Sequence, residues 1–472
     1  MNLYLAILVL YSALLVAIGI IVSRRTRRSS DFFVAGRSLG TGLLFSTLLA
    51  ANIGAGSTVG AAGLAYEKGL SAWWWVGSAG IGSLLLAFTV GPRFWRLASL
   101  NNFYTVGDYL EFRYDRRIRI LCACLLWVGA LTILAGQFIA LSWILEVVAH
   151  TPKWAGCVLG GLVVTLYSSL GGLVSVVRVN VLQLVVKVTG FLLALPFALR
   201  AGTNSSEMGW LHPHFLQIVE GPATYWSFTG GGFADVLGYL VLLVPSFMVS
   251  PGLLQKIYGA RSRSVVRLGV SLNALGLLAF AILPTFLGML TRQVYPHLHN
   301  RELALPTLMV NLLPPWLGLL SLTAVVSAEM SSADAIQAML TSSFTQDFVK
   351  GLIQPGLSDA RLLQITKLTS IITGTLGVIL ALLIPSVVTA LQIFYGLLTV
   401  ALFVPLVFGL YWKRPSAMAA LIAISFSVPA ASMIHILTSG KGFGILSPVA
   451  CGILMSAASM TAVTVASEPR CR

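Results

Sequence analysis

Charge is scarce in this 472-residue chain. Only 10% of the residues are Asp, Glu, Lys or Arg and 57% are hydrophobic, whereas soluble domains carry about 25% charged residues. That excludes a chain built mainly of soluble domain and leaves a polytopic membrane protein, with the lipid bilayer as its first partner. Acidic residues are scarcer than basic ones, 15 against 30. The resulting net charge of +15 is no sign of a nucleic-acid partner, because Lys and Arg in such a chain mostly record topology. Cysteine is sparse too. Cys122, Cys124, Cys157, Cys451 and Cys471 show no metal or redox spacing and read as packing residues. His435 stands alone at membrane depth, with no nucleophile–base pair and no His-rich metal motif, so the chain does not read as an enzyme. The first apolar run, Leu3 to Val22, lacks a convincing cleavage site and ends in Arg24-Arg25-Thr26-Arg27-Arg28, as a retained span would.

What the chain has in abundance is apolar runs. A span takes about 20 residues, and on that measure there are about 13 candidates: 3–23, 40–66, 72–97, 118–149, 154–174, 180–202, 235–258, 264–291, 309–348, 363–384, 387–411, 416–438 and 442–465. The 309–348 region is too long for one straight span, so its start, Leu312-Leu313-Pro314-Pro315, is expected to form a short outer helix. Placing the N-terminus outside sends 23 of the 30 Lys and Arg residues, including Arg119 and Lys256, to inner loops and six to outer ones. Lys187 alone then falls within a span, and the C-terminus is cytoplasmic, as expected for a multi-pass protein of the plasma or inner membrane. The outer loop 203–234 contains the sequon Asn204-Ser205-Ser206, a pattern frequent enough by chance to carry no functional weight.

Two spans are interrupted by polar or helix-breaking residues: one at Asn52 to Gly56, the other at Pro245-Ser246 followed by Ser250-Pro251-Gly252. Each opens a set of five spans. Five is odd, so the second set enters the membrane from the opposite side, as inverted-topology repeats do. The expected organisation is an N-terminal accessory span and basic loop (1–30), a first five-helix repeat (31–202), the outer loop (203–234), a second repeat (235–414), and two accessory spans with a short tail (415–472).

Hydroxyls and carboxyls at membrane depth mark ion or solute paths. The segment Ala328-Glu329-Met330-Ser331-Ser332-Ala333-Asp334 concentrates both. Unwound helix frees backbone carbonyls, and carbonyls of Ala50 and Ile53 facing the Ala328 carbonyl and the Ser331 and Ser332 hydroxyls make an all-oxygen cage for a hard cation such as sodium. Alternatively, the serines bond only to the preceding helical turn. Asn180, Gln183 and Lys187 share one helical face and should point into the bundle. Lys187 pairs with Glu329, stands in for a cation, or snorkels to an interface. Close to bound sodium it would repel the ion: at roughly 5 Å and an effective dielectric of about 20, like unit charges cost about 3 kcal/mol.

Five separated stretches resemble the sodium:solute symporter family: Asp31-Phe32-Phe33-Val34-Ala35-Gly36-Arg37, Tyr109-Leu110-Glu111-Phe112-Arg113-Tyr114, Leu254-Gln255-Lys256, Ala328-x-x-Ser331-Ser332 followed by Asp347, and Gly409-Leu410-Tyr411-Trp412-Lys413-Arg414. The resemblance spans nearly the whole chain. It implies an all-α LeuT-type core of ten helices in two inverted repeats plus accessory helices, and uptake of a small organic solute driven by sodium. It also implies a sodium site at Ala50, Ile53, Ala328, Ser331 and Ser332. One departure stands out. Where the family has an aspartate that some members use for a second sodium, this chain has Asn180, and Arg178 replaces a tryptophan two residues earlier. One sodium per solute is therefore expected, unless Asp334 supplies the missing charge.

For the solute, the first broken helix offers Asn52, Ser57 and Thr58, a later span offers Gln137, and the second broken helix offers Ser246. Trp73-Trp74-Trp75 either lines an outer vestibule or belongs to an interfacial belt. Lys187, as a deep basic group, leans the solute towards a carboxylate. Two other functions fit the same pattern: a sodium-independent or proton-coupled carrier with Lys187 as the cation, and a non-transporting sensor on the same fold.

Overall fold

The computed structural model describes residues 3–23, 37–170, 173–202, 223–230, 232–353 and 358–467. The expectations for Arg24 to Arg28, for the 31–36 stretch, for Gly171-Gly172, for the Arg178 side chain, for the sequon and for Cys471 lie outside the described residues. Helices account for the named secondary structure: α1 (Leu3–Ser23), α2 (Thr41–Asn52), α3 (Ala61–Lys68), α4 (Trp73–Phe88), α5 (Val90–Asn101), α6 (Val106–Arg113), α7 (Arg116–Ala149), α8 (Lys153–Leu170) and α9 (Leu173–Gly202) in the first part of the chain. The second part holds α10 (Phe233–Val249), α11 (Pro251–Tyr258), α12 (Arg263–Phe280), α13 (Ile282–Val294), α14 (Ala304–Asn311), α15 (Pro315–Ser343), α16 (Asp359–Leu383), α17 (Val387–Leu398), α18 (Val404–Tyr411), α19 (Ala417–Leu437) and α20 (Pro448–Ala466). Among the described residues, ten continuous helical stretches are long and apolar enough to cross a membrane, and α2, α8 and part of α1 are shorter apolar helices.

Local chemistry sets the helix starts. The Thr105 hydroxyl and the Asp108 carboxylate form a capping box on α6, while Asp115, Ser262, Ser386, Ser416 and Ser447 each accept a backbone N–H as N-cap of α7, α12, α17, α19 and α20. Pro315 begins α15, where its missing N–H has no helical partner to lose. The short helix ahead of α15 is therefore Ala304–Asn311, upstream of the Leu312–Pro315 position expected from sequence. Pro314-Pro315 starts the span instead of forming part of its prelude.

The packing is unchanged when the two halves of the core are exchanged. α4 lies against α10 as α12 and α13 lie against α2 and α3; α9 packs on α15 as α17 packs on α7; α7 meets α8 as α15 meets α16. Three pairs map onto themselves: α4 with α12, α7 with α15, and α8 with α16. Outside this core, α1 rests on α8, α9 and α15, and α19 and α20 pack on each other and on the Thr399–Phe403 turn. The two broken helices occupy equivalent places. One breaks between α2 and α3 across Ile53–Ala55, the other at Ser250 between α10 and α11; Pro245 stays inside α10.

Two of the family-like stretches meet in space. Arg113 Nε and Nη2 donate to the carbonyls of Gly409 and Trp412 at 2.9 and 3.0 Å, and the Tyr114 hydroxyl donates to Pro405 O at 2.7 Å. Their joint presence in the sequence reflects one contact between α6 and the end of α18.

Candidate functional site

Breaking a helix in a membrane frees carbonyls and amides that lipid cannot satisfy. Here each freed group from Ala50 to Ala55 has a partner. Ser331 Oγ donates to Ala50 O (2.9 Å), Ser332 Oγ to Ala51 O (2.8 Å) and Ile53 O (3.2 Å), and Ser57 Oγ to Asn52 O (3.1 Å). The freed amides of Gly54 and Ala55 donate to Ser57 Oγ (3.0 Å) and Gln137 Oε1 (2.9 Å). Gly54 permits this closeness: a Cβ there would stand 2.2 Å from Ser332 Oγ. All five oxygen-bearing residues expected at the cage, Ala50, Ile53, Ala328, Ser331 and Ser332, thus converge, since Ser331 Oγ also reaches Ala328 O at 3.1 Å.

The Lys187 ammonium, fully buried on α9, enters the same cluster. It donates to Ala50 O at 2.6 Å, to Ile53 O at 3.1 Å and to Ser331 Oγ. The oxygens are neutral and hard, as a sodium site requires, yet three of them already face a cation. The ion pair with Glu329 considered above is absent from the ion pairs among the described residues. Glu329 Oε1 instead accepts the Thr58 hydroxyl at 2.7 Å. The physical reason is proximity: the freed carbonyls lie within reach of the lysine tip, whereas Glu329 is held by the helix that follows the break.

Beside the cage lies a cavity of about 100 Å³. Asn52, Ser57, Gln137, Ser332, Trp75 and Tyr395 contribute polar groups to its wall. Asn52 is tied to Asn273 by a 3.0 Å amide–amide bond, and the Trp75 indole donates to Gly56 O at 2.8 Å. Two residues expected here lie elsewhere. Thr58 is turned to Glu329. Ser246, on α10, is buried against the Thr399 turn, bonded to Leu242 O of its own helix (2.6 Å) and to Thr399 Oγ1 (2.5 Å), where it fills the helix interface rather than the cavity.

The sequence reading missed Lys256. Sorted among inner-loop residues, it sits on α11, is 4% exposed and lines the cavity. Its ammonium donates to Thr47 O at 3.3 Å and faces the charge of Asp334 on α15. Arg119 is likewise no loop residue: it is buried on α7, paired with Asp347 (2.9 Å) and Asp108 (3.0 Å) and bonded to Glu111. Asn180 on α9 donates to Thr47 Oγ1 at 3.1 Å, one side chain away from Lys256.

At the opposite end of the broken helix the segment around Tyr225 and Phe228 packs on α3 and α4. The Tyr225 hydroxyl donates to the carbonyls of Ala65 and Tyr66 at 2.8 and 3.2 Å, Lys68 pairs with Asp235 at 2.9 Å, and Arg301 pairs with Glu67. Trp73 meets Phe228 edge to face, and Trp74 donates to Phe228 O at 2.9 Å. Glu302, nearby, accepts the first amides of α17 from Val387 and Val388 and the Trp143 indole; burial pushes its carboxyl above the usual range and these donors pull it back.

A polytopic helical bundle with two broken helices, matched halves and a polar cavity at the break defines a secondary transporter of the LeuT-type fold, not an enzyme. A family model, the sodium:solute symporter family, matches residues 32–426, and the chain belongs to that family. Its activity is accordingly uptake of a small solute coupled to sodium. The chain is similar to a sodium/pantothenate symporter of Escherichia coli K12, 28% identical over 89% of this chain and 88% of that protein. It is also similar to a sodium/glucose cotransporter of Vibrio parahaemolyticus, 24% identical over 89% and 82%. Among solved structures, a substrate-bound outward-open sodium-coupled sialic acid symporter shares the fold, with a TM-score of 0.80 at 18% identity over 99% of this chain and 98% of that one.

Proposed function

We propose that the protein imports a small organic solute bearing a carboxylate, with one sodium ion per solute, by alternating access around the cavity beside Asn52, Ser57 and Gln137. The observation that carries the carboxylate is Lys256, a buried ammonium in the cavity wall that faces the charge of Asp334 and, among the described residues, makes one long hydrogen bond, to a carbonyl. A bound carboxylate there would add a charge-assisted hydrogen bond. Pantothenate, named in one of the relatives above, is a carboxylate. Neutral Asn180, already bonded to Thr47, supports a single sodium, placed at Ala50, Ile53, Ala328, Ser331 and Ser332. In this reading the N-terminus is outside and the C-terminus cytoplasmic, and the two repeats comprise residues 31–202 and 235–414.

Uptake into proteoliposomes under an inward sodium gradient, with a panel of carboxylates and their amides, tests the solute class. In Lys256→Gln, KM for the carboxylate rises at least about tenfold, the loss of roughly 1.4 kcal/mol of charge-assisted binding, while an amide analogue is handled as before. Equal loss for both analogues would refute the assignment. A second expectation concerns the ion. With a dissociation constant near 10 mM, sodium at about 150 mM adds roughly 1.6 kcal/mol of stability over potassium. That difference disappears in Ser331→Ala, as read by melting in detergent; a difference that survives places the sodium elsewhere.

A further inference from the structure

We propose that Lys187 is the resident cation of the cage, so that sodium binds there only in competition with a charge the protein itself carries. The inference deepens the one-sodium reading above and rests on it for the location of the ion.

An ammonium has three donors and no acceptor. At the Lys187 tip the three donors meet three acceptors: Ala50 O, Ile53 O and Ser331 Oγ. These are three of the five positions that would hold sodium. The lysine therefore does what a bound ion would do, joining the broken helix to α15. Two unit positive charges cannot share those oxygens without strong repulsion. For sodium to occupy them, the side chain has to swing out.

The surroundings provide a second place for it. The charged groups facing Lys187 are Glu329 from α15 and Lys256 from α11. Glu329 is fully buried, and only its Oε1 is used, by Thr58; among the described residues no hydrogen-bond partner is found for Oε2. A buried carboxylate oxygen left unpaired is unfavourable. A displaced Lys187 reaching Oε2 would remove that penalty while sodium takes the cage oxygens. The lysine thus has two berths, and sodium decides between them.

The test uses the full-length protein in detergent and needs no solute. Melting temperature is followed as sodium chloride replaces potassium chloride at constant ionic strength, and the sodium concentration at half-maximal shift is read. Lys187→Met is expected to lower that concentration more than tenfold relative to wild type. Lys187→Arg, which keeps the charge, is expected not to. Glu329→Gln, with the second berth weakened, raises it or abolishes the shift, and Lys187→Met/Glu329→Gln recovers the low value of Lys187→Met. Lys187→Gln replaces the Met variant should the latter not fold. Equal half-maximal concentrations in wild type, Lys187→Met and Lys187→Arg would overturn the proposal. So would strictly additive effects of the Lys187 and Glu329 changes. A chain in which no variant responds to sodium also overturns it, and separates it from the solute assignment, which the uptake panel decides independently.

Discussion

Gly54→Ala is expected to lower solute uptake about tenfold to a hundredfold. The methyl group would stand 2.2 Å from Ser332 Oγ, 2.5 Å from Ser332 Cβ and 2.9 Å from Gln137 Oε1. None of these neighbours is free to retreat: Ser332 holds Ala51 O and Ile53 O, and Gln137 holds the Ala55 amide. Overpacking of this kind costs about 1–3 kcal/mol, and here it also pries the broken helix from α15, where the freed carbonyls find their donors. Each 1.4 kcal/mol is about a factor of ten. Initial rates in proteoliposomes, normalised to reconstituted protein, check it. Melting temperature should fall by only a few degrees, because the disturbance is confined to the break; uptake at the wild-type rate would show that the break has room to spare.

Arg119→Met is expected to be the most destabilising of the changes considered. Arg119 is 8% exposed and Asp347 3% exposed. The guanidinium donates to Asp347 Oδ1 through Nε and Nη2, to Gln346 O, and to Glu111, with Asp108 at 3.0 Å. Removing it leaves Asp347 buried with hydroxyl donors only, from Thr105 and Ser343. Stripping one partner from a buried ion pair costs about 3–5 kcal/mol, a large part of the roughly 5–15 kcal/mol by which folded proteins are stable. The variant should express poorly or melt far below wild type. Arg119→Met/Asp347→Leu should regain much of the loss, since an apolar pair leaves no charge stranded. A double variant as unstable as the single would mean that Asp108 and Glu111, not Asp347, are the partners that matter.

Much of this architecture is legible in the residues because membranes impose simple rules. Apolar run length marks the helices, and Asn52 to Gly56 and Ser250-Pro251 mark the two breaks. Ser331 and Ser332 are visible as cage candidates since their ligand atoms are side-chain atoms. Ala50, Ile53 and Ala328 offer only carbonyls, which every residue has, so only their places at the break and on the facing span, together with the family resemblance, single them out. Lys256 was hidden for a different reason. Its charge near the end of an apolar run looks like a topology marker, and its burial depends on α11 restarting after Ser250 and packing back against α2. The partner of Lys187 was also beyond a one-dimensional reading. Two opposite charges in two spans suggest a pair; whether they meet depends on the break placing Ala50 O and Ile53 O nearer than the carboxylate. Ser246 illustrates the reverse error, a hydroxyl on a broken helix that turns out to face the neighbouring helix.

The segment packed on α3 and α4 has an optical consequence. Trp73, Trp74 and Trp75 stand in a row, the first two against the Phe228 segment and the third with its indole on Gly56 O beside Tyr239 and Tyr395. Moving that segment away from α4 changes the surroundings of the first two indoles and leaves the third buried, so the difference in intrinsic fluorescence between the protein and Trp73→Phe/Trp74→Phe should report the position of the segment without any attached dye.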